Sequence, residues 1–140
     1  MGRLLALDYG LKRTGIAVTD PQQIIATALE TVPTASLPEF LKSYVFREQV
    51  EAFIIGMPRS MNNTDSSLTP HVRKFKAELE KQFPDIPVYE EDERLTSIMA
   101  QQAILEGGMK KKQRRQKGQA DKISAVLILQ SFMERRRTAR

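Results

Sequence analysis

The chain has 140 residues, of which 41% are hydrophobic and 28% charged, and its formal net charge at pH 7 is +5. This size and composition predict one globular domain over residues 1–140 with a single core. The chain contains no cysteine, which excludes disulfides and cysteine-built zinc sites. No apolar stretch approaches the roughly 20 residues that span a bilayer, and the N-terminus does not resemble a signal peptide. We therefore expect a cytoplasmic protein with no membrane partner.

The first three predicted elements are strands. Short apolar runs predict strands over residues 4–8, 14–19 and 24–32. The connections between them are short, and Asp20 and Pro21 open the second turn. Three strands in series favour an antiparallel meander.

A helix and a buried strand follow the meander. Ser36 as N-cap and Glu39 three residues later match the pattern of a capping box. The apolar face of this helix would consist of Phe40, Leu41, Tyr44 and Val45. Residues 51–55 then predict a short buried strand, which is stopped by the sequence Gly-Met-Pro at 56–58.

The second half of the chain predicts three more helices and one strand. One helix presents Val72, Phe75, Leu79 and Phe83, and a strand begins at Ile86. Thr96 caps a further helix that ends at residues 107–108, and the last helix covers about 120–136. Parallel strands joined through helices complete a mixed five-stranded α/β sheet, three strands antiparallel and then two parallel, with helices on both faces.

The positive charge is concentrated in two segments. Residues 110–118 contain six cations and no acid, and residues 134–140 carry a net charge of +3, which leaves the rest of the chain at −4. We expect 110–118 to form a mobile basic loop and 135–140 a basic tail. Basic segments on a mildly acidic body are typical of proteins that bind nucleic acid.

Acidic residues are predicted to meet at one end of the sheet. Asp8 ends the first strand, Asp92 and Glu93 end the strand that begins at Ile86, and Asp121 lies in the first turn of the last helix. Clustered carboxylates are stabilised by hard cations such as Mg²⁺ or Mn²⁺, which support phosphodiester cleavage. The acidic run does not fix which of its residues faces Asp8, so Asp92 and Glu93 both stay candidates.

Four motifs occur in series and together cover almost the whole chain. They span residues 8–17, 56–58, 92–97 and 121–125. In order and spacing they resemble the YqgF family, which comprises pre-16S rRNA nucleases and proteins similar to Holliday-junction resolvases. The resemblance implies a ribonuclease H-like fold and catalysis by metal-bound carboxylates.

Carried over motif by motif, the resemblance implies site residues. Asp8 would be the central metal ligand, Glu93 or in second place Asp92 the next acid, and Asp121 the third. Substrate contacts would come from Lys12, Arg13 and Arg94, together with Arg59 and Asn62 in the loop that borders the cleft. The basic loop adds Lys110, Lys111, Lys112, Arg114, Arg115 and Lys117.

The leading hypothesis is a Mg²⁺- or Mn²⁺-dependent endonuclease that processes the 5′ end of the 16S rRNA precursor in ribosome biogenesis. Its partners would be precursor rRNA and ribosomal particles, and it would act as a monomer or weak homodimer. A Holliday-junction resolvase acting on DNA and a non-catalytic nucleic-acid-binding module remain as alternatives. A sugar-kinase or actin-like ATPase, which the segment after Asp8 also resembles, needs two domains and is disfavoured by the chain length.

Overall fold

A computed structural model describes residues 2–58, 67–92 and 119–138, without the side chains of 119–122 and 138. The strands are β1 (Arg3–Asp8), β2 (Arg13–Thr19), β3 (Ala26–Pro33), β4 (Val50–Met57) and β5 (Val88–Asp92). The described helices are α1 (Leu37–Arg47), α2 (Thr69–Gln82) and α3 (Gln119–Thr138), and a short 3₁₀ turn, Thr34–Ser36, precedes α1.

The five strands form one mixed sheet in the order β3-β2-β1-β4-β5. The pairs β1–β2 and β2–β3 are antiparallel, whereas β1–β4 and β4–β5 are parallel. This confirms the predicted sheet. Because β1, β4 and β5 run the same way, their C-terminal ends lie along one side of the sheet, which we call the carboxyl edge.

Helices cover both faces of the sheet, as predicted. Leu5 and Leu7 of β1 belong to a core with α1 and α2, so we call this side the α1/α2 face. Leu4 and Ala6 belong to a second core with α3, which defines the α3 face. A central strand that is buried on both faces reads as a continuous apolar run, and this is why β1 contains no polar residue between its two ends.

Small side chains let α3 approach the sheet closely. Ala6, Ala17 and Ala52 of the sheet and Ala125 of the helix all lie in the second core, each with a relative exposure of 2% or less. The small residues Ser124 and Ala125 predict this close approach from the sequence. The apolar side chains of α3 are buried at Ala125, Leu127, Ile128, Leu129, Phe132 and Met133 and partly exposed at Ile123 and Val126.

Ser36 occupies the N-cap position of α1, as predicted, but the predicted capping box does not form. Ser36 has φ −92° and ψ −2° and makes no side-chain capping hydrogen bond. An N-cap residue that bonds through its side chain has an extended backbone. Ser36 instead ends the preceding 3₁₀ turn in a helical conformation, so its hydroxyl is not placed over the first turn of α1.

Two sequence predictions fall outside the described residues: the helix that Thr96 was expected to cap and the basic loop 110–118. Among the helices that the structure describes, none has the length and hydropathy required to cross a membrane.

The turn between β2 and β3 is built around the carboxylate of Asp20. Its oxygens accept hydrogen bonds from the backbone N–H groups of Ile24, Ile25 and Gln22, at 2.7, 2.8 and 3.2 Å. These donors, that of Ile25 first, favour the charged carboxylate and hold the pKa of Asp20 below its ordinary value. The prediction that Asp20 opens this turn is confirmed.

Asp20→Asn should lower the melting temperature at pH 7, because a neutral amide accepts these hydrogen bonds more weakly than a carboxylate does. Since the folded-state pKa of Asp20 is lowered, its stabilisation is complete above the unfolded-state pKa and disappears as the pH falls through the folded-state pKa. The difference between the two proteins should therefore shrink below about pH 4. Thermal unfolding at pH 7 and near pH 3 measures it, and an unchanged difference would contradict the prediction.

Candidate active site

Asp8 lies at the carboxyl edge, as the last residue of β1, and is half-buried. Side chains alternate along a strand, and Leu4 and Ala6 pack on the α3 face. Asp8 therefore projects on the α3 face, where Asp121 is expected from the sequence.

Both strands beside Asp8 present glycine next to its carboxylate. On β2 its cross-strand partner is Gly15. On β4 the register pairs Leu7 with Ile55, and continuing it by one residue brings Asp8 beside Gly56. Directly paired residues share a face, so no neighbouring side chain from these strands crowds Asp8. The two paired positions therefore add no side chain next to the Asp8 carboxylate.

Contacts with α2 identify one side of β5. Val88 packs against the first core, and Glu90 Oε2 lies 2.9 Å from Nζ of Lys76 on α2. Because side chains alternate, Asp92 lies on this same α1/α2 face. Asp92 and Asp8 therefore end their strands at the same edge but project from opposite faces of the sheet.

Glu91 projects the other way, toward α3, and is buried with a relative exposure of 6%. Ser131 Oγ donates a hydrogen bond of 2.6 Å to one carboxylate oxygen, and Nη2 of Arg135 donates to the other. Beside them, the rings of Tyr89 and Phe132 lie 5.4 Å apart. We call Glu91, Ser131 and Arg135 the Glu91 clamp. The clamp attaches α3 to β5, and within it each oxygen of the Glu91 carboxylate accepts a hydrogen bond.

Glu91→Ala should destabilise the fold by about 1–3 kcal/mol, because the partly buried donors of Ser131 and Arg135 lose their acceptor. The matched control is Glu51→Ala. Glu51 pairs with Arg136 at 3.9 Å, and both side chains are 40% exposed, so we expect a change below about 1 kcal/mol. Urea unfolding measures both, and equal losses would contradict the role of the clamp.

The direction of α3 brings its first turn to the Asp8 side of the sheet. Ser131 bonds Glu91 near the carboxyl edge, whereas Arg136 contacts Glu51 at the start of β4. Helix α3 therefore runs antiparallel to β4. Asp121 lies in the first turn of α3, ten residues before Ser131, at the end of the helix that is directed toward the carboxyl edge.

A tight turn joins β1 to β2 at the carboxyl edge. A Cβ at Gly10 would lie 2.4 Å from the carbonyl oxygen of Arg13, so only glycine fits. Thr34 donates its backbone N–H to the Lys12 carbonyl at 2.9 Å and its hydroxyl to the Gly10 carbonyl at 2.6 Å. The buried Thr14 hydroxyl lies 2.9 Å from the Thr34 hydroxyl and donates to it, because the Thr34 proton is already used.

Lys12 is exposed in this turn, and Arg13 is exposed at the start of β2, four and five residues after Asp8. The structure thus brings two of the predicted phosphate contacts to the same edge as the predicted central acid.

Thr69 Oγ1 donates a hydrogen bond of 2.7 Å to the Pro58 carbonyl, which ties the start of α2 to the end of β4 at that edge.

The remaining predicted site residues lie outside the described residues. They are Glu93, Arg59, Asn62, Arg94, Lys110, Lys111, Lys112, Arg114, Arg115 and Lys117. Within the described ranges, no three acidic or histidine side chains are close enough to hold a metal ion together. A metal centre built on Asp8 would need further ligands from outside those side chains, and carboxylates are the donors that Mg²⁺ and Mn²⁺ prefer.

Sequence reasoning missed three features of this site. The sequence predicts Gly15 within the second strand and Gly56 as part of a strand stop, and their place beside Asp8 depends on strand register. Glu91 is one of four consecutive acidic residues, 90–93, and no local pattern separates its role from that of its neighbours. The sequence signal for its role is the spacing of Ser131 and Arg135, which lie one helical turn apart on α3.

Comparisons with known proteins agree with this architecture. A family model described as "RuvX: Holliday junction resolvase" matches residues 2–135. A protein of Porphyromonas gingivalis named "Putative pre-16S rRNA nuclease" is 53% identical over 134 residues, which cover 96% of this chain and 97% of that protein. A Bacteroides fragilis protein of the same name is 50% identical over 137 residues, covering 98% and 99%.

Solved structures show the same fold at low sequence identity. Thermus thermophilus RuvC in complex with a Holliday junction superposes with a TM-score of 0.58 at 17% identity, over 97% of this chain and 96% of RuvC. The fowlpox virus Holliday junction resolvase gives 0.57 at 11% identity, over 95% and 99%. The fold is therefore ribonuclease H-like, as predicted. From the family match and the near-full-length relatives, the chain belongs to the RuvX (YqgF) family of nucleases.

Proposed function

We propose that this nuclease is a Mg²⁺- or Mn²⁺-dependent endonuclease that hydrolyses phosphodiester bonds in precursor rRNA, at the 5′ end of the 16S sequence, in the cytoplasm. The observation that carries the proposal is the position of Asp8. Its carboxylate ends a buried strand at the carboxyl edge, projects toward α3 and is flanked by two glycines.

The proposed metal ligands are Asp8, Glu93 and Asp121. The alternation of β5 supports Glu93 over Asp92, because Asp92 projects from the face opposite Asp8. The antiparallel course of α3 supports Asp121 as the third ligand. A divalent ion held by these carboxylates would lower the pKa of a bound water and neutralise charge on the leaving oxygen.

The cations around the edge are proposed to hold the substrate backbone. Lys12 and Arg13 lie on the rigid turn after Asp8, where two positive charges would neutralise the phosphates flanking the cleaved bond. We also assign phosphate contacts to Arg59, Asn62 and Arg94. The six cations of residues 110–118 extend the proposed contact surface along the substrate.

Two relatives that are 53% and 50% identical to this chain, over nearly their full length, are named "Putative pre-16S rRNA nuclease". Their name supports RNA as the substrate. The second candidate is a four-way DNA junction, which the family description and the RuvC complex favour. Both substrates would use the same carboxylates. Ribosomal particles are further proposed partners in the RNA case, with the protein acting as a monomer or weak homodimer.

The deciding experiment offers the full-length chain both substrates. A labelled RNA that contains the 5′ end of 16S and its precursor extension is incubated with Mg²⁺, Mn²⁺ or EDTA, with and without excess unlabelled four-way DNA junction. We expect cleavage of the RNA that requires metal and resists the competitor. Cleavage of a separately labelled four-way junction in preference to the RNA would move the assignment to a resolvase.

Binding without cleavage would move the assignment to a non-catalytic module. Its signature would be a steep fall of RNA affinity with salt concentration, because each neutralised phosphate releases counterions, together with an affinity that survives the loss of Asp8, Glu93 and Asp121. Measuring RNA affinity at several salt concentrations for the wild type and this triple variant separates the two cases.

A further inference from the structure

We propose that Leu11 packs against the face of an unpaired base next to the cleaved phosphate, so that the enzyme selects substrates with unpaired nucleotides at the cleavage site. This inference rests on the proposed nuclease function and adds a specificity determinant to it. The exposed apolar tip between Asp8 and two cations carries the inference.

Leu11 is the apolar tip of the turn that joins β1 to β2. Its relative exposure is 61%, and it belongs to neither hydrophobic core. It lies three residues after Asp8 and directly before the exposed Lys12 and Arg13. Three residues of extended chain span at most about 11 Å, so the Leu11 side chain lies within one or two nucleotides of a phosphate bound at Asp8.

The turn holds Leu11 in a fixed position. On one side of it, the Gly10 carbonyl is bound by the Thr34 hydroxyl, and on the other side the Lys12 carbonyl is bound by the Thr34 backbone N–H. The chain just before the turn is anchored by the Tyr9 ring, which stacks on Phe75 of α2 at 4.8 Å. An apolar side chain on such a scaffold loses little conformational entropy when it meets a ligand.

The chemistry around Leu11 fits a nucleotide. An apolar surface directly beside two cations matches an uncharged base face attached to a charged backbone, and apolar side chains do pack against unstacked bases in nucleic-acid complexes. In an A-form duplex the base faces are covered by stacking and the grooves expose only edges and 2′-hydroxyls. Leu11 can reach a base face only where that base is unpaired or at a helix end.

The test compares Leu11→Ser and Leu11→Ile with the wild type. The matched control is Phe46→Ser, since Phe46 on α1 is 92% exposed and lies outside both cores. Each protein is offered two RNA substrates with the same cleavage site, one with two unpaired nucleotides there and one fully paired. A 2-aminopurine at the unpaired position reports base stacking by its fluorescence, in Ca²⁺ to hold the complex before cleavage.

We expect the wild type, Leu11→Ile and Phe46→Ser to cleave the unpaired substrate faster than the paired one. Leu11→Ser should lose about five- to tenfold in kcat/KM on the unpaired substrate alone, the effect of removing some 50 Å² of apolar contact. It should also lose the 2-aminopurine signal while its melting temperature stays unchanged, because Leu11 is exposed.

Equal kcat/KM and equal fluorescence for Leu11→Ser and the wild type would overturn the inference. An equal loss on both substrates would also overturn it, because the contact would then not depend on an unpaired base. If the wild type cleaves neither RNA, the proposed function fails, and the fluorescence signal still decides whether Leu11 meets the base.

Discussion

Asp8→Asn should reduce the rate of RNA cleavage by about a thousandfold or more, the largest single-residue effect expected in this protein. Asparagine has the size of aspartate but no charge, so it fits between Gly15 and Gly56 and is a much weaker ligand for a divalent ion. The loss should appear in single-turnover cleavage of the precursor RNA at saturating enzyme, where it reports the chemical step and not the affinity for RNA.

The matched control makes the same chemical change elsewhere. Asp20→Asn replaces a carboxylate in the β2–β3 turn, at the opposite edge of the sheet, and should leave cleavage at the wild-type rate at 25 °C and pH 7. RNA affinity of Asp8→Asn should stay the same or rise slightly, because one negative charge is removed near the phosphates. Equal cleavage by Asp8→Asn and the wild type would refute the proposed metal centre.

Glu93→Gln should slow cleavage by about a hundredfold or more, whereas Asp92→Asn should slow it by less than about tenfold, or 1.4 kcal/mol. The reason is that side chains alternate between the two faces of the sheet along β5. Val88 and Glu90 contact the α1/α2 face, so Asp92 projects on that side, away from Asp8. Because the two neighbouring acids have expected effects of very different size, this pair is a sharp test of the ligand set.

The same single-turnover assay measures both variants, with a titration of Mn²⁺ as a second readout. If Glu93 is a ligand, Glu93→Gln should need a higher Mn²⁺ concentration for half-maximal cleavage, and Asp92→Asn should not. The reverse order, with Asp92→Asn the more damaging change in both measurements, would assign the second ligand to Asp92 and would contradict the facing argument.

Much of the fold was predictable because apolar patterning is a local property. The run Leu4–Leu7 indicates a strand buried on both faces, and the spacing of Val72, Phe75 and Leu79 gives the inward side of α2. The capping box at Ser36 failed because a pattern of residue types does not report backbone angles. The 3₁₀ turn that places Ser36 in a helical conformation arises where Thr34 bonds the β1–β2 turn, a contact between distant residues.

The sequence by itself determined that Asp8 ends a buried strand and that glycines and cations follow it, because strand burial and turn chemistry depend on residues that are neighbours in sequence. Only the tertiary structure decided what surrounds that carboxylate. Strand register brings Gly15 and Gly56 to its two sides. Because β5 contains consecutive acidic residues, its sequence does not show which side chains share a face of the sheet. Only the contacts with α2 and α3 show that Glu90 and Asp92 lie on one face and Glu91 on the other.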